Sequence, residues 1–153
     1  MIASRPSVSP SPNQHALPRC SAEERAFQWL VLGAIVVFGA AVRLAAAGTP
    51  LDYYDEVFTV LAYVERPLGE SLVNYSTPNN HLLNTLLAHL SVSAFGHHVW
   101  AIRLPVVVAG ILTIPASYEV GRALDSRGAG LLAAAFTASS MPLVAFSAQA
   151  RGY

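Results

Sequence analysis

AFQWLVLGAIVVFGAAVRLAAA, residues Ala26–Ala47, decides the class of this chain. Arg43, near its end, is its only charged residue beyond the first turn. At 1.5 Å of rise per residue the run is long enough to cross the ~30 Å hydrocarbon layer of a bilayer as one helix. Two later stretches have the same reach. One is VWAIRLPVVVAGILTIPASYEVGR, roughly Val99–Arg122, which contains Pro105 and Pro115. The other is AGLLAAAFTASSMPLVAFS, roughly Ala129–Ser147. Proline and glycine are tolerated in such helices because neighbouring helices satisfy the backbone groups they free. The expected fold is therefore all-α and membrane-embedded, with about three transmembrane helices plus one or two interfacial helices in a large outward loop.

Composition points the same way. Of the 153 residues, 54% are hydrophobic and 12% charged, whereas a soluble domain carries about 25% charged residues. Net charge is zero, so the basic footprint of a nucleic-acid binder is missing. The one cysteine, Cys20, rules out an intramolecular disulfide. Residues 1–25 are rich in Pro and Ser and cannot bury a core, which predicts a disordered tail. A secretory signal peptide is the rival reading of the N-terminus, because Ala45-Ala46-Ala47 resembles a cleavage site. The apolar run, however, exceeds the roughly 7–15 residues of a signal core, and Arg43 interrupts its end.

The loop from 48 to 98 holds a further apolar stretch, His81–Phe95. As a helix it would extend only about 22 Å, short of a full span. Leu82, Leu83, Leu86, Leu87 and Leu90 recur at helical spacing, while His81, Asn84 and His89 fall elsewhere. This pattern predicts an amphipathic helix lying in the interface. The alternative is a short or tilted fourth span. Orientation follows from arginine: Arg5, Arg19 and Arg25 precede the first span, and Arg122 and Arg127 sit between the second and third. Both segments are expected in the cytoplasm, so the N-terminus is inside and the 48–98 loop and the end of the chain face out. The outward loop carries Asp52, Asp55, Glu56, Glu65 and Glu70 against Arg66 alone.

This topology gathers three polar sets on one membrane face: Asp55-Glu56 after the first span, Asn79-Asn80-His81 before the short helix, and Gln149, Arg151 and Tyr153 after the third span. A carboxylate such as Asp55 suits a general base for a hydroxyl, or an oxygen ligand for a divalent cation such as Mg or Mn. Arginine suits phosphate through its planar, two-donor fork. Asn and His suit sugar hydroxyls or the phosphate. Arg103, near the outer start of the second span, is a further candidate for a phosphate.

The order of motifs is Asp55-Glu56, Arg103-Leu104-Pro105, Gly121-Arg122 and Ser147-Ala148-Gln149-Ala150-Arg151-Gly152-Tyr153. From Ala26 onward this order resembles the N-terminal part of the GT-C glycosyltransferases, in the branch of protein O-mannosyltransferases and lipid A aminoarabinose transferases. The resemblance implies transfer of a sugar from a polyprenyl-phosphate donor to an acceptor on the extracytoplasmic face of the cell membrane. It casts Asp55, with Glu56 beside it, as acceptor base or metal ligand, and Arg151 as a neighbour of the donor phosphate. Where many relatives carry His-Pro-Pro-Leu or Lys-Pro-Pro-Leu, this chain has Thr77-Pro78-Asn79-Asn80-His81. The same resemblance implies that residues 26–153 are the first part of a larger transmembrane domain, inactive alone.

Other features have blander expectations. Trp29 and Trp100 are expected as interfacial anchors, and Arg43 is expected to snorkel outward from the first span. His97-His98 is expected as an interfacial pair rather than a metal site, and Asp52 as a loop cap. Asn74-Tyr75-Ser76 matches a glycosylation sequon. Outside enzyme classes, a small membrane adaptor or assembly subunit docking through the acidic loop fits the same pattern. A transporter fits less well, since no span carries a central ionisable residue.

Overall fold

A computed structural model describes residues 21–51, 54–74 and 80–150. Every regular element among the described residues is helical: α1 (Ala22–Ala47), α2 (Tyr54–Thr59) running on into a π-helical turn (Val60–Val64), α3 (Leu68–Val73), α4 (Leu82–Phe95), α5 (Val99–Leu124), α6 (Arg127–Ser139) and α7 (Met141–Ser147). Two of them, α1 and α5, each of 26 residues, are long and apolar enough to cross a membrane.

Helix α1 starts earlier than composition suggested. Ser21 and Glu24 form a capping box: the Glu24 N–H donates to Ser21 Oγ at 3.1 Å, and the Ser21 N–H donates to Glu24 Oε2 at 2.8 Å. Two orphan donors of the first turn are thereby satisfied. Residues 21–25, expected in the disordered tail, are therefore cap and first turn; the remainder of that tail lies outside the described residues. Trp29 is exposed, and its ring lies 6.1 Å from the Tyr118 ring of α5.

α1 and α5 run antiparallel. Leu32 meets Ile114 and Tyr118 towards one end, whereas the backbone at Ala47 meets Arg103 at the other. α6 turns back along α5 in close contact. A Cβ on Gly130 would lie 2.6 Å from the Tyr118 carbonyl oxygen, and one on Gly121 would lie 2.9 Å from that of Ala129. Small residues at such crossings let backbones approach and replace the missing hydrophobic drive between helices in lipid. Leu30, Val37, Phe38, Leu112, Val120, Leu132 and Phe136 remain exposed, as lipid-facing side chains require.

The third apolar stretch is not one straight helix. α6 and α7 meet at Ser140 with a bend of 60°, and Pro142 stands in the first turn of α7. Proline removes the N–H that would bond the carbonyl four residues back, here that of Ala138. Arg43 supplies what is missing: its Nη1 donates to the carbonyls of Ala138 (3.3 Å) and Gly39 (3.1 Å), and its Nη2 to that of Thr137 (3.0 Å). The expected snorkelling of Arg43 is therefore corrected. The side chain is 0% exposed, drawn inward because the broken helix offers more acceptors than the apolar exterior.

The same logic docks α4. Pro105 frees the Ala101 carbonyl, and Ser91 Oγ of α4 donates to it at 2.5 Å. α4 buries its small and polar face, Asn84, Thr85, Ala88, Ser91 and Val92, and turns Leu83, Leu87 and Leu90 outward. It occupies the stretch expected for the amphipathic helix. One or two helices were expected in this loop, and only α4 could be placed in advance; α2, the π-helical turn and α3, elements of five or six residues, are too short to show a period. The π-helical turn packs with α4 and α5 around Val60, Val64, Ala88, Val92, Ile102 and Ala150, and α3 lies against both the turn and α4.

Candidate functional site

The site is built where α1 ends, α2 and α5 begin, and the chain leaves α7. Glu56 lies in the first turn of α2 and Arg103 in the second turn of α5. They form a two-pronged pair: Arg103 Nε donates to Glu56 Oε1 at 2.7 Å and Nη2 donates to Oε2 at 2.7 Å. Both are buried, Glu56 at 0% and Arg103 at 2% exposure. Arg103 Nη1 donates further to the carbonyls of Ala47 (2.9 Å) and Thr49 (2.5 Å), and Nη2 to that of Pro50 (3.2 Å). Glu56 Oε1 also accepts the Ala150 N–H at 2.7 Å.

Four separate segments thus close on one ion pair. A guanidinium has five N–H donors, and here all five are used, so Arg103 has none left for a substrate phosphate. The expectation that it binds substrate gives way to a supporting role, for which burial is the cause: a charge removed from water must be paired and hydrogen-bonded where it stands. Glu56, expected as a catalytic carboxylate, is likewise engaged at both oxygens.

Asp55 is the member of the couplet with other surroundings. Successive residues of a helix are turned by about 100°, so its side chain leaves α2 in a different direction from that of Glu56. It is half-buried, and its backbone carbonyl accepts from Thr59 Oγ1 at 2.8 Å. A divalent cation here would find one carboxylate of the couplet rather than two. Among the described residues no three His, Cys, Asp or Glu side chains converge as a metal site.

Asn80 is a tie rather than an open ligand. Its Nδ2 donates to the carbonyls of Ser71 (2.7 Å) and Asn74 (2.8 Å), and its Oδ1 accepts from Thr85 Oγ1 at 3.1 Å. This fastens α3 to the start of α4. His81 is half-buried and borders an open groove of about 370 Å³ between α4 and α5, shared with Asn84, Leu87 and Pro105. His89, on the other side of α4, makes a 2.9 Å hydrogen bond with the Tyr63 carbonyl. His97 and His98 are exposed, and the His98 ring stacks on Trp100 at 6.1 Å.

Gln149 is buried, 7% exposed, and its Oε1 has no hydrogen-bond partner among the described residues. Asn79, Arg151 and Tyr153, along with Asp52 and most of the sequon, lie outside the described residues. Sequence reasoning missed the pairing of Glu56 with Arg103, the capture of the broken helix by Arg43, and the Ser91 bond to α5. No family model, curated protein or solved structure matches the chain.

Proposed function

We propose that this chain forms the acid-bearing part of a membrane glycosyltransferase of GT-C type, which uses a polyprenyl-phosphate sugar. One observation carries the reading. The 2.7 Å bond from the Ala150 N–H to Glu56 Oε1 joins the residue after Asp55 to the residue before Arg151. The two groups the reaction needs, a carboxylate and a phosphate-binding arginine, are thus the sequence neighbours of the two ends of one buried bond.

In this reaction the Asp55 carboxylate takes the proton of an acceptor hydroxyl. The acceptor oxygen bonds to the anomeric carbon as the bond from that carbon to the donor phosphate breaks. The polyprenyl phosphate leaves with the electron pair, and Arg151 meets its charge with two parallel N–H donors. Asn79, His81 and Tyr153 are the remaining candidates for sugar contacts. The bent α6–α7 pair serves as a third crossing. Arg25, Arg122 and Arg127 mark the cytoplasmic end, and the Glu56–Arg103 end faces out.

The test is Asp55→Asn placed in the gene at its native locus, with sugar transfer from a polyprenyl-phosphate donor measured in isolated membranes. Transfer is expected to fall by about 10²-fold or more, as for loss of a general base, at unchanged protein level. Wild-type rates end the catalytic reading. They would favour a non-enzymatic adaptor, for which Glu65, Arg66 and Glu70 stand exposed on a loop already fixed by the buried pair.

A further inference from the structure

Helix α4 begins without a side-chain cap. His81 stands at its N-cap and makes no capping hydrogen bond, and the first backbone bond of the helix runs from the Thr85 N–H to the His81 carbonyl at 2.9 Å. The N–H groups of Leu82, Leu83 and Asn84 precede that bond and have no acceptor within the helix. This turn forms one wall of the open groove of about 370 Å³ that faces Pro105, Val106 and Ala109 of α5.

A second feature points into the same groove. Asn84 is 7% exposed and lines it, and its side-chain amide makes no hydrogen bond among the described residues, which run unbroken from 80 to 150. The unpartnered side-chain atoms sealed from solvent are Arg43 Nε and Gln149 Oε1. The Asn84 amide is not one of them, so it keeps an opening, and the groove is where the residue meets it. No Asp, Glu, Lys or Arg lines the groove. Its other walls, Leu83 and Leu87 included, are apolar, and the exposed side of α5 continues past Ala109 to Leu112.

We infer that this groove holds a phospholipid of the bilayer, with its phosphodiester at the start of α4 and one chain lying along α5. The phosphate follows from the donors. Three free N–H groups at the positive end of a 14-residue helix, with an amide beside them and no carboxylate near, favour an anion rich in acceptor oxygens. The chain follows from the apolar walls. The volume exceeds the ~150 Å³ that receives a benzene ring, which leaves room for the phosphate and several methylenes. The diester follows from the missing Lys and Arg. A phosphate monoester, such as a transferase releases, carries a second charge that nothing in this lining would meet.

The inference goes beyond the transferase reading, in which Arg151 meets the donor phosphate, and its test measures binding without turnover. The probe is palmitoyl-oleoyl-phosphatidylglycerol, titrated against the full chain in neutral detergent, with one-lipid adducts counted by native mass spectrometry. Adducts at other surfaces are common to all variants and cancel between them. Wild type is expected to bind this lipid about tenfold or more tightly than palmitoyl-oleoyl-glycerol, which has the same chains and no phosphate. Leu83→Asp sets a fixed carboxylate at the same N–H groups and should weaken the phospholipid about tenfold relative to Leu83→Asn. The same acid in the first turn favours the helix, so the thermal midpoint should hold or rise, which a merely damaged fold would not show. Asn84→Leu, close in size and without the amide, should weaken binding about fivefold. Helicity is checked first, and Leu83→Asp against Leu83→Asn decides alone if Asn84→Leu fails to fold. Equal binding by the two Leu83 variants overturns the inference, as does diacylglycerol bound as tightly as the phospholipid. Displacement by inorganic phosphate would make this a soluble-anion site, and displacement by an equal concentration of polyprenyl phosphate would make it a donor site; either result also overturns it.

Discussion

Glu56→Gln tests the buried pair most sharply, because it changes one atom and the charge while keeping the shape. Its amide oxygen replaces Oε1, which accepts from both Arg103 Nε and the Ala150 N–H. The amide nitrogen then faces Arg103 Nη2 across 2.7 Å, donor against donor. Arg103, 2% exposed, is left with backbone carbonyls and no counter-charge. Breaking a buried pair by removing one partner costs about 3–5 kcal/mol. For a chain of this size each kcal/mol shifts Tm by about 2–4 °C, so the midpoint should fall by about 6–20 °C. Helical circular dichroism during a thermal ramp in mild detergent measures this. Asp55→Asn on the same helix turn should move the midpoint by less than about 4 °C. Removing the whole pair, as Glu56→Leu with Arg103→Leu, often rescues stability elsewhere. Here it should not, because Ala47, Thr49, Pro50 and Ala150 lose their partners as well. A Glu56→Gln midpoint within about 2 °C of wild type would refute the reasoning.

Other outcomes follow from the same geometry. Arg43→Met should cost about 2–4 kcal/mol, because three carbonyls lose charged donors; amide exchange in residues 140–150 should quicken, and unchanged exchange there would show that α7 is held by something else. Gly110→Ala puts a Cβ 2.3 Å from Ser147 Oγ and should lower stability by about 1–3 kcal/mol, whereas Gly33→Ala meets nothing within 4 Å and should raise it by up to ~1 kcal/mol; thermal midpoints in the reverse order would contradict the helix packing. In a Cys20→Ser background, Glu70→Cys should react with an impermeant thiol reagent in intact cells and Ser126→Cys only after permeabilisation. The opposite result inverts the orientation.

The long elements were legible because lipid imposes a single demand on them. Runs such as Ala26–Ala47 and Val99–Arg122 must satisfy their own backbone, and an unbroken helix is the cheapest way to do so. The place where that demand fails was only half legible. Pro142 signals a weak point, but its sequence does not say whether the helix bends gently or breaks by 60°. The answer depends on Arg43, 95 residues away from Ala138, which accepts a buried position in exchange for three carbonyls. α4 shows the reverse case. Its leucine spacing gave its extent within a residue, yet the seat of the helix comes from Ser91 reaching the carbonyl freed by Pro105.

The site was legible as composition and illegible as pairing. Glu56 and Arg103 stand 47 residues apart, and neither position carries a local pattern that names the other. Their pairing divides the couplet into two different tasks. A carboxylate that accepts three donors and is 0% exposed has no room to receive a substrate proton. On the proposed reading the chemistry of the couplet belongs to Asp55, and Glu56 fixes where Asp55 stands by tying α2 to Arg103 of α5 and to Ala150. The two conservative amides should consequently fail in different ways. Asp55→Asn should lose sugar transfer per folded molecule while keeping its melting midpoint. Glu56→Gln should lose the midpoint, and at temperatures well below it the folded fraction should keep a measurable rate. If Glu56→Gln were fully folded and inactive while Asp55→Asn stayed active, the assignment within the couplet would be reversed.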